Sequence, residues 1–550
     1  MKQENFKLNE AYLLGLVTQK YDTLEESRSS QLSDNRLIKY AIYNSTIPKV
    51  NAWDCKVQLP DIYEFAQTLK SHIVQNLYSH PDGMFDVEGT DISTQKYANR
   101  QKAMLVNTFE GMKIENVMEQ IIDSVVETGE ATLFVGWETK VKKARRRLTI
   151  KEQECANVEE NFIVEDKVIY DNAKVKFINY EDFVFDNSTN DWDSCAKIYR
   201  TYLTLDELVT NLANNLLTQE KTELLKGVVA KRSRKDLKSS EYNNKLEILE
   251  YWGDIELPNG EILKNKLLVV AGRSVVIRFE DNPFITNPFI HANIIECPTT
   301  GRGISPLRVA LILNNISSTI LNKQLDALAL MMNPPYLAPK GCFRGEQVIK
   351  PGKIIEYDSS LMTTPPMAIS FDKAMQGWEF LNYFKSTLES ATGIFKNMSG
   401  NIQTSERTAT EINYSVNGQE ARLNMILEAI NRKIIVPMVE KTAEIISNFK
   451  LGNEVILIKE KGSEQFIEID DKIRNSNYVY RYGDRKASFE RKSKLKELFN
   501  VIQAFAKIDV VAKQINWLEC FKFVIEQYGV ENANNFLTSD IQEEQESVEG

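Results

Sequence analysis

Four closely spaced aspartates, Asp182, Asp186, Asp191 and Asp193, form the densest carboxylate cluster of the sequence. Carboxylate oxygens bind hard divalent cations, and such a cation could assist the hydrolysis of a phosphodiester. A calcium-binding loop does not fit, because Asp191 stands where that loop needs glycine and Lys197 replaces its closing glutamate. The pattern favours a loop solvated by its own acids, and a metal-dependent nuclease site is the alternative.

Two short basic runs are the other residues that could do chemistry, because lysine and arginine bind phosphate groups. Neither run has aromatic residues between its charges. We interpret each as a solvated or subunit-facing surface, with phosphate binding as the alternative. The first run lies in a predicted hairpin and contains Lys142, Lys143, Arg145, Arg146 and Arg147, and the second contains Lys231, Arg232, Arg234 and Lys235.

Signatures of ordinary catalysis are missing from the sequence. It contains no G-x-x-x-x-G-K-[ST], no G-x-S-x-G and no H-E-x-x-H, and no G-x-G-x-x-G follows a strand-like segment. Its six cysteines lie far apart without a C-x-x-C, and it has only three histidines. The sequence therefore predicts a protein that is not an enzyme, with no cofactor, no metal site and no disulfide framework.

Composition narrows the class of protein further. With 550 residues, 43% of them hydrophobic, and 15 prolines, the chain should fold into about three or four globular domains. Its 67 basic and 77 acidic residues give a net charge of -10, which excludes a protein that coats nucleic acid by bulk attraction. No stretch approaches about 18 uninterrupted apolar residues, so the sequence predicts no membrane span, and the first residues predict no signal peptide.

Hydrophobic spacing divides the chain into helical and strand-rich parts. Up to about Glu130 the apolar residues recur at three- and four-residue spacing, which predicts helices. From Ala131 to about Phe279 many segments are rich in Val, Ile, Phe and Tyr and predict strands. After Gly303 the pattern is helical again. This order predicts a β-rich unit inside a helical frame.

Two helices are expected on either side of a compact insertion. Ser305 as N-cap and Pro306 as first helical residue open a helix of roughly 40 Å, which Pro334 stops. A Gly- and Pro-bearing segment follows, and the second helix ends at Gly393. We expect an isolated subunit to expose apolar faces of these helices, which include Leu307, Leu311, Leu321, Leu325, Leu328, Phe371, Met375 and Leu388.

The longest helical pattern begins at a capping box formed by Thr408 and Glu411 and continues for roughly 60 Å. Pro437 lies inside this pattern and predicts a kink. After Gly452 two strand-like runs predict a hairpin. The segment from about Ala487 predicts further helices before an acidic, frayed end.

Five segments carry a resemblance that covers about half of the chain: INYEDFVFDNSTNDWDSCAKIYRTYLTLDEL, EYWGD, NPFITNPFIH, GRGISPLRVALILNNISSTILNKQLDALALMMNPPYL and ESATGIFKNMSGNIQTSERTATEI. A long helix, a compact insertion, a second helix, a polar loop and a very long capped helix follow one another. In this order the chain resembles a portal protein, the head-to-tail connector of tailed double-stranded DNA bacteriophages. The similarity is greatest to portals of short-tailed phages.

The resemblance implies a portal-like α+β fold with a helical stem, a long wing helix, β-rich wing insertions, a small clip and a C-terminal helical crown. Carried over to this sequence, the parts are the wing (1–303), the first stem helix (304–332), the clip (333–370), the second stem helix (371–392), the tunnel loop (393–408), the long wing helix and β-hairpin (409–486), and the helical crown with an acidic tail (487–550).

The resemblance also implies a function and partners. The chain would form a homo-dodecameric ring at the unique capsid vertex of the virion, the head-tail junction, through which double-stranded DNA is packaged and ejected. Its partners would be that DNA, the terminase large subunit, the tail adaptor, and the major capsid and scaffold proteins, with no membrane, and the chain would be made in the host cytoplasm. The resemblance places Lys396, Asn397, Asn401, Gln403 and Arg407 on the tunnel loop, and Lys340, Arg344, Lys350 and Lys353 on the clip.

Two other classes of function stay open. One is a metal-dependent nuclease built on the four aspartates, which metal-stimulated DNA cleavage lost on changing Asp186 would favour. The other is a cellular helical scaffold that presents long helices to partners. A closed ring with a central hole would argue against both.

Overall fold

The computed structural model describes residues 10–43, 55–77, 81–147, 162–187, 192–211, 219–235, 245–298, 301–332, 336–337, 360, 367–368, 378–392, 422–460 and 463–482. Structural statements below concern these residues. The fold is α+β, as the sequence predicts, with a strand-rich part between helical parts.

The helices of the first part are α1 (Glu10–Ser27), α2 (Ser29–Tyr43), α3 (Asp61–Leu77), α4 (Ile92–Gln95), α5 (Ala98–Met112) and α6 (Ile114–Thr128). Two helices, α7 (Leu205–Asn211) and α8 (Gln219–Lys235), interrupt the strand-rich part. The later helices are α9 (Arg308–Met332), α10 (Trp378–Thr392), a helical segment over 422–430, α11 (Val436–Phe449) and α12 (Asp471–Arg474).

The strands are β1 (Phe85–Gly89), β2 (Glu130–Arg147), β3 (Phe162–Ile178), β4 (Phe183–Phe185), β5 (Lys197–Thr204), β6 (Lys245–Glu256), β7 (Ile262–Ala271), β8 (Val275–Asp281), β9 (Phe289–Asn293), β10 (Tyr336–Leu337), β11 (Met367–Ala368), β12 (Glu454–Glu460), β13 (Ser463–Ile469) and β14 (Tyr478–Tyr482). Among the described residues they form a five-stranded sheet in the order β4-β5-β6-β7-β8, a three-stranded sheet in the order β3-β2-β9, and the pairs β1-β14, β10-β11 and β12-β13. All neighbouring strands are antiparallel.

The chain divides into two compact units. The first comprises Met1–Ser29, Ser71–Ile304 and Leu423–Gly550, and the second comprises Ser30–Lys70 and Ser305–Arg422. The second unit thus joins Ser30–Lys70 to the predicted stem and clip, whereas the sequence analysis assigned all of 1–303 to the wing.

The five-stranded sheet buries both of its faces, because alternate residues of each strand point to opposite sides. On one side α1 covers it with Leu13, Val17 and Tyr21. On the other side the sheet packs against Leu208 of α7 and Leu225 of α8. The sheet therefore has its own core on each face and needs no other chain to complete it.

Two glycines let the chain pass very close to itself beside β2. Gly129, at the turn between α6 and β2, has a φ of +77°, and a Cβ there would lie 2.0 Å from the backbone oxygen of Ile304. A Cβ on Gly303 would lie 2.6 Å from the Gly129 oxygen. The contact holds the end of the first unit's central segment against β2, and any side chain at either position would force the two backbones apart.

The long helix is irregular where the sequence predicts a kink. A π-helical turn, Asn431–Ile435, precedes Pro437, which lies in the first turn of α11. Proline lacks an amide hydrogen and its ring crowds the carbonyl four residues earlier, so a regular α-helical hydrogen bond is lost at this point. A π-turn is one way in which a helix absorbs such a break. The hairpin predicted after Gly452 is also confirmed, as β12 and β13.

Candidate assembly surfaces

The predicted carboxylate cluster is divided among ion pairs. Asp182 accepts a hydrogen bond from the Arg200 Nε at 3.0 Å, and Asp186 accepts one from the Lys20 Nζ at 2.6 Å. Burial raises the pKa of Asp182, an effect that Arg200 opposes. Asp191 lies outside the described residues, and no described group of three or more His, Cys, Asp or Glu residues could hold a metal ion. The two pairs connect the residues flanking β4 to α1 and β5.

A buried polar layer lies where β5 and β9 meet the loop before β5. The Lys197 Nζ donates to the backbone carbonyls of Trp192 and, at 3.0 Å, Cys195, and it lies 4.7 Å from the centre of the Trp192 ring. Carbonyl oxygens and an aromatic face thus replace water around a buried ammonium group. Burial and the neighbouring Arg302 lower the pKa of His291 to about 3, so this imidazole is neutral at neutral pH.

The start of α9 confirms the predicted cap. The Leu307 amide donates to the Ser305 Oγ at 3.1 Å, and the Arg308 amide donates to the Ser305 carbonyl at 3.1 Å. Pro306, between them, has no amide hydrogen that would need a partner. The regular helix begins at Arg308 and ends at Met332, as the sequence predicts within three residues.

The exposed apolar face of α9 differs in part from the one that the sequence analysis named: Leu328 is 39% exposed, as expected, but other named leucines are covered. Leu307 and Leu311 are buried, and so is Leu388 of α10. In the first half of the helix the side chains that stay open are Val309, Ile312 and Ile316, which are 55%, 59% and 40% exposed. Their spacing of three and four residues places them on one side of the helix. We call these three residues the stem stripe. The expectation of an exposed apolar stem face is confirmed, but the residues named for it were partly wrong.

The polar residues on another side of α9 find hydrogen-bond partners in an extended segment of the chain. Ser318, Asn322 and Asp326 recur every four residues, and each accepts a backbone amide of the segment Cys55–Leu59. The distances are 2.7 Å to the Asp326 carboxylate, 2.8 Å to the Asn322 amide oxygen and 3.0 Å to the Ser318 hydroxyl. The Asn322 side chain also donates to the Val57 carbonyl at 2.9 Å. We call this arrangement the polar ladder, and it explains why Ser30–Lys70 belongs to the second unit.

The first basic run lies on a long ribbon, as the sequence predicts. Beyond Thr139 and Asp171 only β2 and β3 remain paired, and most described side chains on both faces of this ribbon are exposed. At its base Trp137 stacks on Phe449 of α11, with ring centres 5.9 Å apart. We call residues 139–147 and 162–171 the arm. The arm carries seven basic and three acidic residues, and Arg146 pairs with its own Glu165 at 2.8 Å.

Comparison with known families gives one match that spans nearly the whole chain. The family model described as the phage SU10 portal protein matches residues 13–548. The chain belongs to the phage SU10 portal protein family. A search of the curated proteins found no match. The resemblance read from the five sequence segments is thereby confirmed at the level of the family, and it extends well beyond the half of the chain that carried it.

The channel and clip residues of this portal-family chain remain predictions. Lys396, Asn397, Asn401, Gln403 and Arg407 of the tunnel loop lie outside the described residues. The same holds for the clip residues Lys340, Arg344, Lys350 and Lys353, and for the capping box at Thr408 and Glu411. The second basic run lies at the end of α8, where only the backbone is described. In the part of the chain that the structure describes, no helix is both long and apolar enough to cross a membrane.

Three features of the portal-family chain escaped the sequence analysis: the stem stripe, the polar ladder and the buried Lys197. The ladder had a visible signal, because Ser318, Asn322 and Asp326 form a polar row at four-residue spacing along α9. A polar row of this kind on a helix predicts either a solvent-exposed face or contact with a polar segment of the chain. The alternation of Lys197 with Ile198 gave no such signal, because a lysine near a strand end is usually exposed.

Proposed function

We propose that the chain is the subunit of a homo-dodecameric ring at the unique capsid vertex of a phage, at the head-tail junction. Double-stranded DNA enters the capsid through this ring during packaging and leaves through it during ejection. The observation that carries the proposal is the family match over residues 13–548. The stem stripe supports it, because a subunit with an apolar helix face open to water gains free energy when an identical neighbour covers that face.

The parts of the ring follow the sequence division. Helices over 304–332 and 371–392 form the stem, and the clip over 333–370 docks the terminase large subunit during packaging and the tail adaptor afterwards. Basic clip residues Lys340, Arg344, Lys350 and Lys353 contribute to this docking. The wing, over 1–303 and 409–486, meets the major capsid and scaffold proteins, and the crown over 487–550 completes the ring. The chain is made in the host cytoplasm and acts without catalysis or a cofactor.

Charge explains how an acidic ring can pass DNA without holding it. Twelve copies of a chain with net charge -10 carry about -120 formal charges, so most of the surface repels the duplex. Strong phosphate contacts would release counterions and fix the DNA in place. A few basic side chains on the tunnel loop, Lys396 and Arg407, then give weak contacts that salt screens.

Native mass measurement and electron microscopy of the purified full-length chain test the proposal. We expect closed rings of about twelve copies with a central hole, because heterologous contacts between identical subunits close at a fixed rotation. A chain that stays monomeric at micromolar concentration, with DNA or capsid protein present, would contradict it. In a packaging assay, intact rings with both Lys396→Glu and Arg407→Glu should package or retain less DNA than wild-type rings, with a deficit that depends on salt.

A further inference from the structure

The arm presents one face that combines apolar and basic side chains. Val141 lies opposite Val168 in the register, and Arg145 lies opposite Val164, so these four residues share a face. The three valines are 51%, 53% and 57% exposed in that order. An isolated two-stranded ribbon with both faces in water is marginally stable. This geometry is therefore expected of a ribbon that another surface covers.

A second two-stranded ribbon, β12-β13, presents a face of the opposite charge. Val455 lies opposite Glu468, and Phe466, two residues before Glu468, points to the same side. Val455 is 64% exposed and Phe466 is 76% exposed, whereas Ile456 and Ile469 on the other side are buried. In the sequence of 453–471 there are six acidic residues and two lysines. Of these acids the register places Glu468 on the outward face, beside Val455 and Phe466, whereas Glu454 lies on the other side. The outward face thus joins a carboxylate to two exposed apolar side chains, where the arm face joins Arg145 to its valines.

We propose that the arm of one subunit packs on the outward face of the β12-β13 hairpin of a second copy of this chain, a contact that rests on the proposed ring. Two observations favour a second copy as the occupant. Arg145 on the arm face and Glu468 on the hairpin face have opposite charges, each beside exposed apolar side chains, and the exposed fractions of those apolar side chains show that each face is open within a single chain. Two different patches that fit each other make a heterologous contact, which is the kind that closes a ring of identical subunits. Duplex DNA would leave the arm valines uncovered.

Disulfide cross-linking between two singly substituted chains tests the contact directly. Full-length chains with Val164→Cys and chains with Phe466→Cys are assembled together and then oxidised. We expect a covalent dimer that neither chain gives alone above the background of the six native cysteines. The matched control is Lys142→Cys, which is exposed on the other face of β2 and should give no dimer with Phe466→Cys. Rings that form from both chains without the specific dimer would overturn the contact.

Charge exchange gives a second measurement that does not depend on cysteine geometry. Arg145→Glu and Glu468→Lys should each lower the association constant of the subunits about tenfold, because each places like charges together, and the double variant should recover. Lys142→Glu is the control and should leave association unchanged.

The outcomes separate this contact from the ring itself. If the wild-type chain forms no ring, the proposed function fails. If wild-type rings form and Arg145→Glu assembles equally well, only the arm contact fails. If Arg145→Glu assembles normally but binds a short DNA duplex more weakly in a salt-dependent way, the arm is a DNA-binding element and the contact is wrong.

Discussion

The five-stranded sheet and helix α9 differ in how much of their apolar surface the chain itself covers. Each face of the sheet has its own core, with Leu13 and Val17 of α1 on one side and Leu208 and Leu225 of α7 and α8 on the other. Helix α9 buries Leu311 but leaves the stem stripe open. Covered surface stabilises the subunit, and open apolar surface stabilises only an assembly. The comparison therefore separates residues needed for folding from residues needed for association.

The largest effect on subunit stability should come from the sheet. Leu249, fully buried on the central strand β6, contacts the core beneath α1. Leu249→Ala removes buried methyl groups and leaves a cavity, so the free energy of unfolding should fall by about 3 kcal/mol. Urea unfolding of dilute subunits measures this value, with Ile316→Ala as the control, expected within about 0.5 kcal/mol of wild type. Equal losses for the two variants would contradict the comparison.

The next largest loss in the free energy of unfolding should come from the polar ladder, which covers the polar side of α9. Asp326→Ala leaves the half-buried Cys55 amide without its acceptor at 2.7 Å, and the loss of this partner should lower the free energy of unfolding by about 1.5 kcal/mol. Lys323→Ala is the control, because this exposed lysine lies 3.9 Å from the same carboxylate and should contribute little. Hydrogen exchange at the amides of residues 55–59 should speed up only in the Asp326 variant.

Local signals in the sequence predicted the structure well where both partners lie close together in the chain. The Ser305 cap, the hairpin after Gly452 and the break at Pro437 each depend on residues within a few positions. Their physical causes, an orphan amide, a turn and a missing amide hydrogen, can be read from a short window.

The sequence did not predict contacts between residues that lie far apart in the chain. The pairing of β1 with β14 joins Phe85 to Tyr482, and the polar ladder joins Cys55 to Asp326. Helical spacing showed that α9 has an apolar face, but not that Leu311 would be covered within the subunit while Ile312 stayed open. Which side is covered depends on segments far away in the chain. The tunnel-loop and clip residues, outside the described part, stay predictions.

The pH dependence of stability should show a smaller effect for each pH unit, from the buried layer beside the sheet. His291 has a pKa of about 3 in the fold, against about 6.5 when it is unfolded. Between these values the unfolded chain binds one more proton, so stability is full above about pH 6.5 and falls by up to about 1.4 kcal/mol per pH unit as pH drops towards 3. In His291→Gln this slope should flatten in urea unfolding curves. An unchanged slope would show that His291 is already protonated in the folded chain.

The smallest effect on the subunit should come from the stem stripe, and there the comparison is sharpest, because Leu311 and Ile312 are neighbours in sequence with opposite surroundings. Leu311 is buried and Ile312 is 59% exposed. Ile312→Ser should leave the urea midpoint of dilute subunits within error, since an exposed substitution usually changes the free energy of unfolding by less than about 0.5 kcal/mol. Leu311→Ser should lower the free energy of unfolding by about 3 kcal/mol, because a hydroxyl replaces buried methyl groups.

In native mass measurements of subunits that remain folded, the order of the two effects should reverse. Ile312→Ser should shift the population from rings to smaller species at concentrations where the wild type is assembled. Rings as stable as the wild type would show that the stem stripe faces solvent in the assembly, and the apolar surface that joins the subunits would have to lie elsewhere in the chain.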